Sequence, residues 1–242
     1  MSNISIHIHD KSYLNASDNS TKQIINNVSL SLKNNEFVCL VGHSGCGKTS
    51  LLNILAGLDS DFSGDINLGN TQPKVGYIFQ SPRLLPWRTV EKNISLATDC
   101  SSEDLDFLLA NMGLSEEKQH FPAQLSLGMS RRVSIARAFA NNPDLLLMDE
   151  PFVSLDSPTA RQVRQLLVNL WQKRPHNVLF VTHDLREAIT LADRLIFLDS
   201  KPMTIMKEVR VNIPREDRNN ETKIEQFRQQ LFIDYPEIHT LL

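Results

Sequence analysis

The chain has 242 residues, 41% of them hydrophobic, which is enough to bury a core without disulfides or a structural metal. Its 25 basic and 28 acidic residues give a net charge of -3, which argues against a nucleic-acid binder relying on bulk positive charge. The sequence shows no secretory leader and no apolar run near the roughly 20 residues of a membrane-spanning helix. Three widely spaced cysteines suit a reducing compartment.

The first quarter of the chain predicts strands, a glycine-rich turn and a helix. Residues 4–8 alternate between isoleucine and polar residues, as in a half-buried strand. The polar stretch 15–22 is predicted to be a loop, and residues 28–32 alternate again. The apolar run 37–41 is typical of a buried parallel strand, and a helix is predicted over 48–56.

The middle of the chain, 82–137, is predicted to be a helical insertion. Ser101 and Asp104 resemble a helix-start capping box. Leucines at helical spacing follow as far as Met112, and Gly113 ends the pattern.

Further strands are predicted at 75–79, 144–149, 177–181 and 195–198, with helices between the later ones. A short helix is expected near 223–232. Strands that alternate with helices indicate an α/β fold with a mostly parallel core sheet.

The segment after the run 37–41 matches the phosphate-loop pattern G-x-x-x-x-G-K-[ST] between a predicted strand and a predicted helix. Glycines let successive backbone N–H groups point at phosphate oxygens, Lys48 adds a point charge, and the Thr49 hydroxyl suits Mg²⁺. The alternative is a glycine-rich turn with a chance lysine, which the flanking strand and helix disfavour. We interpret Cys46 as a small residue that fits the loop. The motif residues are Gly42, His43, Ser44, Gly45, Cys46, Gly47, Lys48 and Thr49.

An apolar strand ends in Asp149 and Glu150. Adjacent side chains on a strand point in opposite directions, so the two acids need different roles. We expect Asp149 to hold Mg²⁺ beside Thr49, and Glu150 to polarise the attacking water as general base. Alone, such a pair is also found as a solvated acidic strand end.

Polar residues follow three of these segments. Gln80 is placed to touch the metal and the attacking water, and His183 to donate a hydrogen bond to the γ-phosphate; Asp156 lies just past the carboxylates. Each alone is more often an ordinary polar residue at a strand end or turn. His7 and His9 are explained by strand alternation rather than metal binding, since the sequence offers no third ligand.

These motifs, in this order, resemble those of an ABC-transporter ATP-binding subunit over about residues 4–214. The resemblance implies a P-loop NTPase core (1–81 and 138–214), with an N-terminal antiparallel β subdomain and a helical subdomain (82–137). A C-terminal extension (215–242) completes one domain spanning 1–242. The matching residues are the phosphate loop, Gln80 of the Q-loop, Leu125 to Met129 of the signature, Asp149 and Glu150, Asp156 of the D-loop, and the switch His183.

The resemblance also implies a head-to-tail homodimer with ATP and Mg²⁺ between subunits. Ser126 and the backbone of Gly128 would bind the γ-phosphate held by the other subunit, and Ser50 would join the phosphate-binding residues. Tyr13 resembles the aromatic residue that stacks on adenine; the alternative is a packing tyrosine at a strand end.

One departure from the family pattern is Leu127, which replaces the first glycine of the signature. Leucine adopts positive φ only at a cost, and its side chain would crowd the nucleotide. We therefore expect the signature to bind the other subunit's γ-phosphate more weakly, and we do not infer that the site is inactive.

Residues 81–94 and 211–218 are similar to segments of the nitrate, sulfonate and taurine importer subfamily. Their resemblance implies an integral membrane permease as partner, indirectly a solute-binding protein, and a cytoplasmic location on the inner face of the membrane. The apolar cluster 84–87 fits a groove for the permease's coupling helix; packing within the helical insertion is the alternative.

Two rival classes remain at this stage. A soluble ABC ATPase outside transport usually shows paired ATPase domains, coiled-coil arms or cysteine clusters, and a P-loop kinase or GTPase lacks the signature. The sequence does not encode the transported solute, and it favours import only by subfamily resemblance.

Overall fold

The computed structural model describes residues 4–14, 20–96, 101–200 and 202–241. They form two compact units, the first made of 1–71 with 177–242 and the second of 72–176. Strands and helices alternate along both, with mostly parallel core strands and an antiparallel N-terminal sheet, which confirms the predicted α/β class.

The element bounds are as follows. The strands are β1 (Ile4–Leu14), β2 (Thr21–Leu32), β3 (Phe37–Val41), β4 (Ser63–Asn67), β5 (Val75–Ile78), β6 (Leu145–Asp149), β7 (Asn177–Thr182), β8 (Arg194–Asp199) and β9 (Thr204–Arg210). The helices are α1 (Lys48–Leu55), α2 (Val90–Ser95), α3 (Ser102–Met112), α4 (Leu127–Ala140), α5 (Ser157–Lys173), α6 (Leu185–Leu191) and α7 (Glu221–Asp234).

The first unit begins with an antiparallel sheet in the order β2-β1-β4. The isoleucines of β1 are buried, as their alternation predicts. Thr21 and Lys22 belong to β2 rather than to the predicted loop. Ser20 lies outside the strands, as predicted, and residues 15–19 lie outside the described residues. The sequence did not predict β4, because a strand reading Ser-Gly-Asp-Ile-Asn carries almost no apolar alternation.

The same unit contains a second sheet, in which β3 pairs in parallel with β7 and β8, and β9 closes the edge antiparallel to β8. Every residue of β3 and β7 is buried. A strand of a parallel sheet is covered on both faces, so a continuous apolar run replaces alternation.

The C-terminal segment of the first unit is fastened by arginines. Arg215 donates to both carboxylate oxygens of Asp193 at 2.6 Å, and the buried Arg218 donates to the carbonyl of Ala192 at 2.7 Å. The predicted C-terminal helix is confirmed as α7, whose first turn is capped by Asn220.

The described part of the second unit has β5 and β6 as a parallel pair and four helices. The Ser101 hydroxyl accepts from the backbone N–H of Asp104, so the predicted helix start is confirmed, and Gly113 ends α3 in the left-handed region. None of the helices in the described ranges is both long and apolar enough to cross a bilayer.

Candidate functional site

The phosphate loop lies at the end of the buried strand β3 and leads into α1. Gly45 and Gly47 have φ of 79° and 110°, which L-residues with a side chain rarely adopt. A Cβ on Gly47 would also lie 2.8 Å from the Ile24 side chain. The curl of the loop therefore depends on glycine at this position.

The side chain of Lys48 is folded into this loop and is only 5% exposed. Its Nζ donates to the carbonyls of Gly42 at 2.6 Å and His43 at 2.8 Å, and lies 4.0 Å from the sulfur of Cys46. Carbonyl oxygens compensate the buried charge, as charged groups away from water require. Thr49, in the next position, is exposed. The loop thus surrounds one cation and presents a hydroxyl beside it.

Strand pairing brings His183 to the same edge as the phosphate loop. Val41 pairs with Thr182 at the carboxyl ends of β3 and β7, so Gly42 and His183 each follow directly. His183 is exposed, and the neighbouring Asp184 caps α6. The carboxyl ends of parallel strands are where α/β folds place ligands.

Tyr13 also lies close to this loop. Its ring is 41% exposed, and its hydroxyl donates to Asp59 Oδ2 at 3.0 Å. Ser50 Oγ, in the first turn of α1, lies 3.4 Å from the same hydroxyl. The first unit therefore brings together Tyr13, the phosphate loop and His183.

The second unit carries the carboxylates at the end of β6. Asp149 is 6% exposed, and its negative charge adds to burial in raising the pKa of Tyr77. Glu150 has φ of 42°, a region disfavoured for a side chain of this kind. Ile78 pairs with Met148, so the residues leading to Gln80 and to Glu150 leave the sheet side by side.

Two arginines of α4 hold the backbone around Gln80. Arg131 is 1% exposed and donates to the carbonyls of Phe79 at 2.8 Å and Gln80 at 2.6 Å. Arg137 donates to the carbonyls of Pro82 and Arg83. Sequence reasoning missed this clamp, because an arginine in a helix gives no signal of a partner some fifty residues away.

The signature segment starts α4. Ser126 caps the helix by accepting from the backbone N–H of Met129 at 3.2 Å. Leu127 is the first helical residue and is absent from the described residues with positive φ, so the expected backbone strain is wrong. Its side chain is 45% exposed. Gly128 is needed for space, since a Cβ there would lie 2.7 Å from the Thr159 methyl.

Asp156 caps α5 by accepting from the backbone N–H of Thr159. Hydrogen bonding to the Thr159 side chain and backbone lowers the pKa of this carboxyl. The structure thus gives Asp156 a helix-capping role that its position in the sequence alone did not indicate.

The apolar cluster 84–87 leads into α2 and ends in Trp87, which is 70% exposed. Asn93 holds this loop: it is fully buried, accepts from the Leu85 N–H at 2.7 Å and donates to the carbonyls of Leu85, Arg88 and Thr89. Sequence reasoning missed Asn93. An exposed tryptophan on a loop held by these hydrogen bonds is typical of a docking residue.

Among the described residues, no group of three or more His, Cys, Asp or Glu side chains is arranged to hold a metal ion. His7 is exposed on β1, with Nδ1 3.0 Å from the Ser29 hydroxyl. The interpretation of the two histidines as strand alternation fits this placement.

Comparisons with known proteins agree with these features. The model of the ABC transporter family matches residues 25–153. An aliphatic sulfonates import ATP-binding protein SsuB of Bacillus cereus is 36% identical over 239 residues, covering 94% of each chain. The SsuB 1 protein of Xanthomonas axonopodis pv. citri is 37% identical and covers 98% of each chain.

Solved structures are also similar. The dimeric structure of a bacterial ABC transporter cassette has a TM-score of 0.74 and 30% identity, covering 87% of this chain and 100% of that one. A dimeric post-hydrolysis state of an ATP-binding cassette, bound to ADP and Pi, matches with the same values.

Proposed function

Because this chain belongs to the ABC transporter family, we propose that it powers the import of a small solute of the nitrate, sulfonate and taurine kind by ATP-driven dimer closure. It is an ATP-hydrolysing subunit. The observation that carries the proposal is the glycine-dependent loop around Lys48, at the edge where His183 follows the paired strand β7.

The proposed roles follow from the chemistry of each group. Loop amides, Lys48 and Ser50 bind the phosphates, and His183 donates to the γ-phosphate. Mg²⁺ would be held by Thr49, Gln80 and Asp149, an all-oxygen donor set of the type this cation prefers. Glu150 would accept a proton from the attacking water.

We place the second half of each ATP site on the partner copy. The exposed Ser126 and the backbone of Gly128 lie at the start of α4, where the helix N-terminus supplies a positive potential that suits a γ-phosphate. Asp156, in the proposed D-loop, starts the neighbouring helix. The relatives named as aliphatic sulfonates import ATP-binding proteins support assembly of this subunit with a permease at the inner face of the cell membrane. Through the permease it would act indirectly with a solute-binding protein.

The permease is proposed to dock on the cluster 84–87. Loss of an aromatic anchor from an interface costs about 2 kcal/mol or more, or roughly thirtyfold in affinity. In vesicles containing the permease with which this subunit assembles, Trp87→Ala should therefore lose most of the ATPase stimulation caused by solute-loaded binding protein. The isolated subunit should keep its own ATPase rate.

Leu58→Ala is the matched control, because Leu58 is a similarly exposed apolar residue of the first unit, at 62%. It should retain full stimulation. Stimulation unchanged by Trp87→Ala would remove this surface as the docking site. A wild-type subunit that no membrane partner stimulates would favour the alternative function, a soluble ABC ATPase outside transport.

A further inference from the structure

Lys11 is a lysine of β1 that is only 1% exposed. The register of β1 against β4 shifts between Ile8 and Asp10, and the buried positions change from even to odd numbers at this shift. A bulge of this kind re-aims the side chains that follow it. Lys11 therefore faces inward, and Tyr13, two residues on, lies on the same side of the strand.

Carboxylates and a carbonyl compensate the buried ammonium. Nζ of Lys11 donates to Asp59 Oδ1 at 2.9 Å and to the Asp61 carbonyl at 2.5 Å. Burial lowers the pKa of Lys11, but the hydrogen bond and charge of Asp59 and the hydrogen bond to Asp61 outweigh it, so the pKa is raised on balance. Burial likewise raises the pKa of Asp59, and its donors outweigh that effect. Both groups are therefore ionised at neutral pH.

This ion pair holds the tyrosine at two points. Nζ of Lys11 lies 4.4 Å from the centroid of the Tyr13 ring, within cation–π range. The other oxygen of Asp59 accepts from the Tyr13 hydroxyl at 3.0 Å. Asp59 is itself tied to α1, since its N–H donates to the Asn53 carbonyl at 3.3 Å. One ring face and the hydroxyl are thus fixed relative to the helix that follows the phosphate loop.

We propose that Lys11, held by Asp59, is a positioning residue that orients Tyr13 to receive the adenine ring of ATP. The inference rests on the proposed role of Tyr13 as the stacking aromatic. A cation on one face leaves the opposite face for the base, and a ring already fixed loses less conformational freedom when the base binds. Stacking of one base on an aromatic residue is worth roughly tenfold or more in affinity.

Calorimetric titration with MgATP and with magnesium tripolyphosphate, which has no base, tests the inference. Lys11→Met should raise the Kd for MgATP several-fold and leave the Kd for tripolyphosphate unchanged. Tyr13→Ala should raise the Kd for MgATP roughly tenfold and likewise leave the Kd for tripolyphosphate unchanged. In the Tyr13→Ala background, Lys11→Met should not raise the Kd for MgATP any further, because Lys11 acts only by orienting the Tyr13 ring.

Lys33→Met is the matched control: Lys33 is exposed and follows Leu32, which pairs with Ile4 at the opposite end of β1 from Tyr13, so the substitution removes an equal charge far along the strand from the ring. Tyr13→Phe keeps the ring and removes the hydroxyl's bonds to Asp59 and Ser50, so it should weaken MgATP binding slightly. It covers the case in which Lys11→Met does not fold. Native MgATP affinity in both variants, or equal loss of MgATP and tripolyphosphate in Lys11→Met, would overturn the inference alone. Native affinity in Tyr13→Ala would overturn it together with the proposed role of Tyr13.

Discussion

Glu150 occupies a backbone conformation that is costly for its residue type, immediately after a strand whose every residue is buried. Such strain persists where the surrounding structure holds it, and it is concentrated at functional sites. In the part of the chain that the structure describes, five other non-glycine residues share positive φ, and three of them are asparagines, which tolerate it. The positive φ of Glu150 therefore agrees with its proposed role in activating water.

Glu150→Gln should therefore keep ATP binding and lose turnover by roughly a thousandfold, because removing a general base costs about 10²–10⁴ in rate. ATP should then hold the dimer closed. Phosphate release and size-exclusion chromatography with ATP measure the two effects. Glu103→Gln, at an exposed acid in the first turn of α3, is the control and should hydrolyse normally. Turnover at the native rate would remove Glu150 as the base.

Leu127 gives a second prediction at this scale. As the first residue of α4 it needs no positive φ, so its effect on the signature comes from the exposed side chain alone. Leu127→Gly should leave ATPase activity equal or higher, while glycine lowers helix stability by roughly 1 kcal/mol. Leu127→Ala separates the two effects, since it shortens the side chain and keeps helix propensity. A severe loss of activity in both variants would show that the leucine is needed.

At the scale of elements, α4 joins the signature to the Q-loop. Its N-terminus carries Ser126, and its first turns carry Arg131, which holds the carbonyls of Phe79 and Gln80. A guanidinium can serve two consecutive carbonyls because its donors form a planar fork. Burial lowers the pKa of Arg131 to about 10, so the group remains charged at neutral pH.

Arg131→Met should loosen the backbone at 79–83, because two carbonyls lose a charged donor, and lower the free energy of unfolding by about 1–3 kcal/mol. Hydrogen exchange should speed up in that segment. Arg132→Met is the control on the same helix: Arg132 donates to the carbonyls of Met112 and Gly113, so exchange should rise there instead. Unchanged exchange at 79–83 in Arg131→Met would show that the clamp is not needed.

For the molecule as a whole, stability should depend on pH through His176. Nδ1 donates to the Arg174 carbonyl at 2.8 Å, and Nε2 is buried with no hydrogen-bond partner among the described residues. Burial lowers the pKa of His176 to about 4, although the bond to Arg174 raises it. The unfolded chain, with a pKa near 6.5, therefore binds a proton more readily than the folded one.

The free energy of unfolding should be unaffected by this group above about pH 6.5 and should fall as the pH drops from there to about 4, by up to roughly 3 kcal/mol. Denaturant unfolding at a series of pH values measures it. His176→Phe, beside Phe139 at a ring separation of 4.9 Å, should show a shallower dependence between those pH values. Identical slopes in the two proteins would exclude His176 as the cause.

The sequence by itself determined the α/β class, because strand and helix patterns alternate along the chain. It also determined the phosphate loop and the acids at the end of β6, because each is written in a short contiguous segment at a strand end. Backbone amides, Lys48 and Thr49 act within eight residues, so no long-range information is needed to recognise them. Local sequence patterns did not predict β4, because its apolar alternation is weak. They also led to a wrong expectation of backbone strain at Leu127, because residue type alone does not give the backbone conformation.

Only the tertiary structure decided how distant residues support these motifs. The buried Lys11 depends on a register shift in β1, Arg131 on the packing of α4, and Asn93 on the closure of the loop before α2. Each contact joins residues that are brought together by strand register, helix packing or loop conformation. The type of a side chain does not encode any of these.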